Sequence, residues 1–119
     1  MSKNGIKVIE AVRELASAQP DYVYGQRICV YVERDSVGEW RPSCLVGQAL
    51  WSVGLIDEGW LDVNNELHNT QEIRVINRPC GFGFDNDEVN WLGRVQRLQD
   101  SGTTWGEAVR IVDRAATPV

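Results

Sequence analysis

A chain of 119 residues has room for one hydrophobic core, and 43% apolar with 24% charged residues is the balance of an ordinary globular domain. The net charge of −5 disfavours generic binding to nucleic acid or to an anionic membrane, both of which select a basic surface. The longest uncharged run, residues 42–56, carries Ser, Gln and Gly and falls short of the roughly 20 apolar residues of a membrane span. With no secretory signature in the first residues, the expectation is a single domain over 1–119, soluble and cytoplasmic.

Asn4 is placed to cap a first helix over 4–19, with Val8, Ile9, Val12, Leu15 and Ala16 on its inner face and Pro20 and Asp21 as its stop. The aromatic and β-branched runs 22–24 and 28–32, parted by residues 25–27, predict a short antiparallel hairpin or one interrupted strand pair, with the second strand buried on both faces. Residues 34–42 read as a polar loop carrying Gly38 and Trp40. Ser43 then caps a nearly charge-free helix over 44–53, which Gly54 ends. Residues 69–77 fit a short helix or a strand, and Asn69 three residues before Glu72 favours the helix. Pro79, Gly81 and Gly83 oppose any regular element over 78–84.

The last third is the most legible. Asp85 with Glu88, and Thr104 with Glu107, have the spacing of two capping boxes, and Gly102 stands where a helix ends in the left-handed conformation. Trp91, Leu92, Val95 and Leu98 form one apolar stripe; Trp105, Ala108, Val109, Val112 and Ala116 form another. Residues 85–114 therefore predict an αα-hairpin. The fold class is α+β and mostly helical: about five helices, a small antiparallel β-hairpin and a C-terminal αα-hairpin.

The segment 98–109, LQDSGTTWGEAV, resembles the C-terminal signature of small accessory proteins encoded by tailed phages of mycobacteria and their relatives. CLVGQAL at 44–50, followed by Val53 and Gly54, is similar to their central helix, and YVY at 22–24 with CVY at 29–31 to the region before it. The resemblance implies a phage context rather than a mechanism. In that context small proteins act by binding a host molecule, such as a protein or a nucleotide signal, and neutralising it.

Three candidate chemistries compete with plainer readings. Cys44 at the first turn of a helix has the setting of a stabilised thiolate, and His68 is the one histidine available as its base, with Asp62, Asn64 or Asn65 to orient it. No local signature of a cysteine hydrolase accompanies the pair, and a small buried hydrophobe explains Cys44 equally. Cys29, Cys44, Cys80 and His68 match the ligand count of a zinc site, but every gap between them exceeds ten residues, whereas such sites pair ligands within a turn. Three free, buried thiols are expected instead, with no metal and no cofactor. Gly81-Phe82-Gly83 lacks the third glycine of a dinucleotide fingerprint, and Asp85, Asp87 and Glu88 lack the glycine of a calcium loop. A DNA-associated role for the 85–114 hairpin is disfavoured by its six acids against four arginines, a balance of −2.

The remaining signal is a set of aromatic and arginine residues in irregular segments. Trp40, Arg41, Trp60, Arg74, Arg78 and Phe82 are the expected binding surface, since Trp and Arg dominate protein interfaces and also stack bases and grip phosphates. The expected function is non-enzymatic sequestration of a host protein or of a small anionic ligand such as a nucleotide, with homo-oligomerisation left open. The alternatives are the Cys44/His68 hydrolase and the DNA-associated regulator.

Overall fold

The computed structural model describes residues 2–26, 28–61 and 66–116. Among them the elements follow as α1 (Lys3–Ala18), β1 (Val32–Arg34), β2 (Trp40–Pro42), α2 (Leu45–Ser52), a 3-10 turn (Glu66–Thr70), α3 (Ile73–Ile76), α4 (Asn86–Asp100) and α5 (Trp105–Ala116). The fold is the expected mostly helical one, with a small antiparallel hairpin and a packed C-terminal helix pair.

Helix α4 is the hub, touching α1, α2, α3 and α5. Its apolar residues Leu92 and Val95 are fully buried with Val8 and Val12 of α1, Leu45 and Leu50 of α2, Ile73 and Ile76 of α3, and Trp105 and Val112 of α5. Three polar residues share that interior: Glu88, Gln96 and Gln99. Each receives backbone N–H groups from the start of another helix, donors that a helix leaves without an internal partner.

Glu88 completes the capping box of its own helix, accepting from Asp85 N at 2.8 Å while Asp85 accepts from Glu88 N at 2.9 Å. Its carboxylate also accepts from the backbone N–H of Ser2 at 3.0 Å and the Ser2 hydroxyl at 2.6 Å. Ser2, rather than the expected Asn4, is the cap of α1, its hydroxyl taking the Gly5 N–H at 2.9 Å. Asn4 lies inside the helix and donates to the Phe82 carbonyl. Gly5 is required at this junction, because a Cβ there would fall 1.9 Å from the Glu88 carboxyl carbon. Gln96 accepts from Ile73 N at the start of α3, and Gln99 accepts from Leu45 N at the start of α2 and from the Trp105 indole. With these contacts made, no buried side-chain polar atom among the described residues lacks a partner.

The strand pair lies elsewhere than expected. Residues 22–26 and 28–31 do not pair as strands; β1 pairs with β2 in the register Val32↔Pro42, Glu33↔Arg41, Arg34↔Trp40, so the expected polar loop is the hairpin itself. Asp35 makes its turn by accepting from Val37 N, Glu39 N and Arg41. The backbone at residues 20, 22 and 30–32 is bonded to helix starts and side chains instead. The Pro20 and Tyr22 carbonyls accept from Gly106 and Trp105 of α5, Val30 and Tyr31 carbonyls accept from Cys44 and Ser43, and the Asn69 amide brackets Val32 on both its N–H and C=O. Here Asn69 imitates a neighbouring strand, which is why it does not cap the helix after it; Glu72 occupies that position.

A disulfide joins Cys29 to Cys44, so two of the three expected free thiols are bonded to each other, and among the described residues Cys80 is the cysteine outside that disulfide. An odd count of cysteines without paired spacing suits a reducing cytosol, and the bond between two of them removes that argument. The cap of α2 is Cys44 rather than Ser43, whose hydroxyl turns to Tyr24. No helix among the described residues is long and apolar enough to cross a membrane.

Candidate binding cleft

A cleft of 460 Å³ lies between α1, α4 and α5 and combines an apolar floor with charged walls. Residues three to four apart on a helix share a face, and the lining follows that rule on both walls. Ile6, Ile9, Glu10 and Arg13 come from α1, Asp87, Asn90, Trp91 and Arg94 from α4, and Val112 from α5. Ile6 is exposed at the lip, whereas Ile9, Trp91 and Val112 form a floor continuous with the core.

One polar device fixes that floor. The Trp91 indole N–H donates to Asp113 at 3.0 Å, and the Arg13 guanidinium donates to the same carboxylate from Nε at 3.1 Å and from a terminal nitrogen at 2.7 Å. The Arg13 guanidinium also lies 5.3 Å from the Trp91 ring centroid, within cation–π range. The Asp113 hydrogen bond, outweighing partial burial, raises the Arg13 pKa above its ordinary value. The pair is half exposed, so its worth is orientation more than stability. Arg94 differs: among the described residues no ion pair or hydrogen bond of its side chain occurs. Asn90 accepts from Arg74 of α3, which brings one expected site residue to the rim.

The other expected site residues are scattered by function. Trp60 is only 8% exposed and meets Tyr31 edge-on at 5.8 Å, and Phe82 is 2% exposed against Phe84. Both rings belong to the core, so a surface containing them does not form. Trp40 is half-buried on β2 under the Arg34 guanidinium at 4.7 Å, and Arg41 beside it is held by Asp35. Arg74 and Arg78 are exposed.

Cys44 and His68 are not brought together as nucleophile and base. Cys44 is 0% exposed, bonded to Cys29, and its sulfur accepts from Gly47 N at 3.4 Å. His68 Nδ1 is 2.8 Å from Gln71 Oε1. Asp62, Asn64 and Asn65 lie outside the described residues. Among the described residues no group of three or more His, Cys, Asp or Glu side chains is arranged to hold a metal. Cys80 is half-buried, and burial raises its thiol pKa, with the Trp60 indole pulling the other way.

Sequence reading missed the cleft because its walls are ordinary polar helix positions. The one available signal was Ile6, an apolar residue off the inner stripe of α1 and in line with Glu10 and Arg13. Trp91 was assigned to the core, which holds for most of its surface. Comparison of the chain with family models, with curated proteins and with solved structures finds no match.

Proposed function

We propose that the chain is a non-enzymatic binding protein that acts by occupying a host molecule, in the manner of the phage accessory proteins its sequence resembles. On this reading the α1–α4–α5 cleft receives a short amphipathic helix of a host protein in the host cytoplasm. The observation that carries the reading is the lining: an apolar floor of Ile9, Trp91 and Val112 between walls bearing Arg13 and Arg94 against Glu10 and Asp87. Two cations and two anions leave the cleft near neutral, which suits the mixed charges flanking the apolar stripe of a helix. A nucleotide's phosphates would instead face two carboxylates, so the protein target is preferred to the anionic ligand. From Ile6 to Arg13 the α1 wall runs about 10 Å at 1.5 Å per residue, room for two turns of a partner helix.

The test uses tagged full-length protein as bait in a mycobacterial lysate, beside the lip variants Ile6→Glu and Arg94→Glu. A captured protein that both variants lose, with melting temperature unchanged, is the expected result. Capture indifferent to both lip charges would refute the cleft. A rise in melting temperature with nucleotides and no protein partner would move the reading to small-ligand sequestration, by mass action.

A further inference from the structure

We propose that the Cys29–Cys44 bond is a thiol-exchange site: a small thiol attacks Cys29 Sγ and expels Cys44 as a thiolate at the start of α2, opening the cross-link without unfolding the domain. The two sulfurs have unlike surroundings. Cys44 is fully buried, whereas Cys29, 5% exposed, lines a separate surface cleft of 230 Å³ with Ile28, Gln71, Glu72, Gln96, Arg97 and Asp100. An incoming thiol therefore meets Cys29 first.

The leaving side is prepared as well. Cys44 is the N-cap of an eight-residue helix, and its sulfur already accepts from Gly47 N at 3.4 Å. The free N–H groups and dipole at a helix start stabilise a thiolate, and a stabilised thiolate leaves faster. On the other sulfur, the Gln96 side-chain amide stands 3.5 Å from Cys29 Sγ, a donor ready for the second thiolate.

The electron count closes with a dithiol reductant. Its thiolate forms a bond to Cys29 Sγ as the Cys29–Cys44 bond breaks, and the bonding pair leaves on Cys44. The reductant's second thiolate then attacks its own sulfur in the mixed disulfide and releases the Cys29 thiolate. Two protons from the reductant's thiols, exchanged through water, end on the two cysteines, and the reductant is oxidised to its cyclic disulfide.

Other bonds hold the open form in place. Cys44 N and Ser43 N donate to the Val30 and Tyr31 carbonyls at 3.0 and 2.9 Å, Tyr24 and Ser43 hydroxyls are 3.0 Å apart, and Trp105 N donates to the Tyr22 carbonyl at 3.0 Å. The two α-carbons, 5.4 Å apart, thus stay within bridging range for re-oxidation. Glu72 and Asp100 flank the cleft against one cation, Arg97, so an uncharged thiol enters more readily than an anionic one.

Native full-length protein is treated with 2-mercaptoethanol, acid-quenched at early times and peptide-mapped by mass spectrometry. The expected adduct is on Cys29, in about tenfold or greater excess over Cys44. Dithiothreitol should then reduce the bond completely in the absence of denaturant, glutathione should act more slowly at equal thiolate concentration, and the reduced protein should keep a cooperative melt and reclose with oxidised glutathione. An adduct mainly on Cys44, or reduction that waits for denaturant, overturns the proposal; so does a reduced protein that no longer melts cooperatively. A Cys80→Ser variant run in parallel removes shuffling through the third thiol, and in the wild type the Cys80 peptide is resolved separately.

Discussion

The C-terminal helix pair α4–α5 and the segment ahead of the β-hairpin, residues 20–26 and 28–32, hold their backbones by opposite means. In the helix pair the caps are local: Asp85 and Glu88 exchange bonds three residues apart, and Thr104 takes the Glu107 N–H. In the segment, donors and acceptors find partners across long separations, in α5, at the start of α2 and at Asn69. The difference teaches that a helix can be specified by a few neighbouring residues, whereas an irregular segment is specified by whatever it touches. Yet the helix pair also exports caps. Glu88, Gln96 and Gln99 spend their hydrogen bonds on α1, α3 and α2, so one locally specified helix sets the starts of three others.

Glu88→Ala should do the greatest damage, since it strands Ser2 N, the Ser2 hydroxyl and Asp85 N together. The expected loss is about 3–4 kcal/mol, read as a fall in the denaturant midpoint with an unchanged slope. Glu88→Gln, which keeps an acceptor, should lose clearly less; equal losses would show that the shared cap is not the cause.

Replacing both Cys29 and Cys44 by serine tests the other region. The bond closes a loop of sequence separation 15, for which chain entropy gives about 3 kcal/mol. Hydrogen exchange should quicken over 22–31 and remain slow in α4. Uniform quickening would mean that the segment and the helix pair open as one unit.

Gln96→Leu is expected to lose about 2 kcal/mol, because Ile73 N is left buried without its acceptor and the Tyr31 hydroxyl loses a donor. The loss should concentrate in exchange at α3, which has no side-chain cap of its own.

The smallest effect belongs to the hairpin. Hydrogen bonding from the Arg41 guanidinium, then from the Glu39 and Val37 N–H groups, lowers the Asp35 pKa below the ordinary carboxylate range. A lowered folded value means that its contribution is present above the unfolded value of about 4 and is lost as pH falls through the folded one. Signals from β1 and β2 should broaden or shift in that acid window before those of α4, and Asp35→Asn should remove the pH dependence.

Much of the fold was legible because helix rules are short-ranged. The periodicity of α1, the capping box at Asp85 and the stripe on α5 each lie within about four turns, and each element formed where expected. Less of the surface could be read. Trp60 and Phe82 stand in glycine-bearing stretches that look exposed, but Tyr31 and Phe84 draw their rings inward. Cys29 and Cys44 carry no spacing that marks a pair; their meeting depends on residues 30 and 31 lying across the start of α2, where a Cβ on Gly47 would come 2.4 Å from the Tyr31 carbonyl oxygen. The cleft was hidden for a related reason, since Glu10, Arg13, Asp87 and Arg94 are ordinary solvent-side positions of their own helices.

The sequence alone determined which helix faces turn inward and where α4 and α5 begin, because local capping and 3.6-residue periodicity act over neighbouring positions. Only the tertiary structure decided that Glu88 would also cap α1, that Val32–Arg34 rather than 22–24 would pair, that two cysteines would join, and that α1 and α4 would leave a groove between them. Each of those outcomes is a contact between distant residues, and such a contact is chosen by packing the whole chain around one core rather than by any local preference.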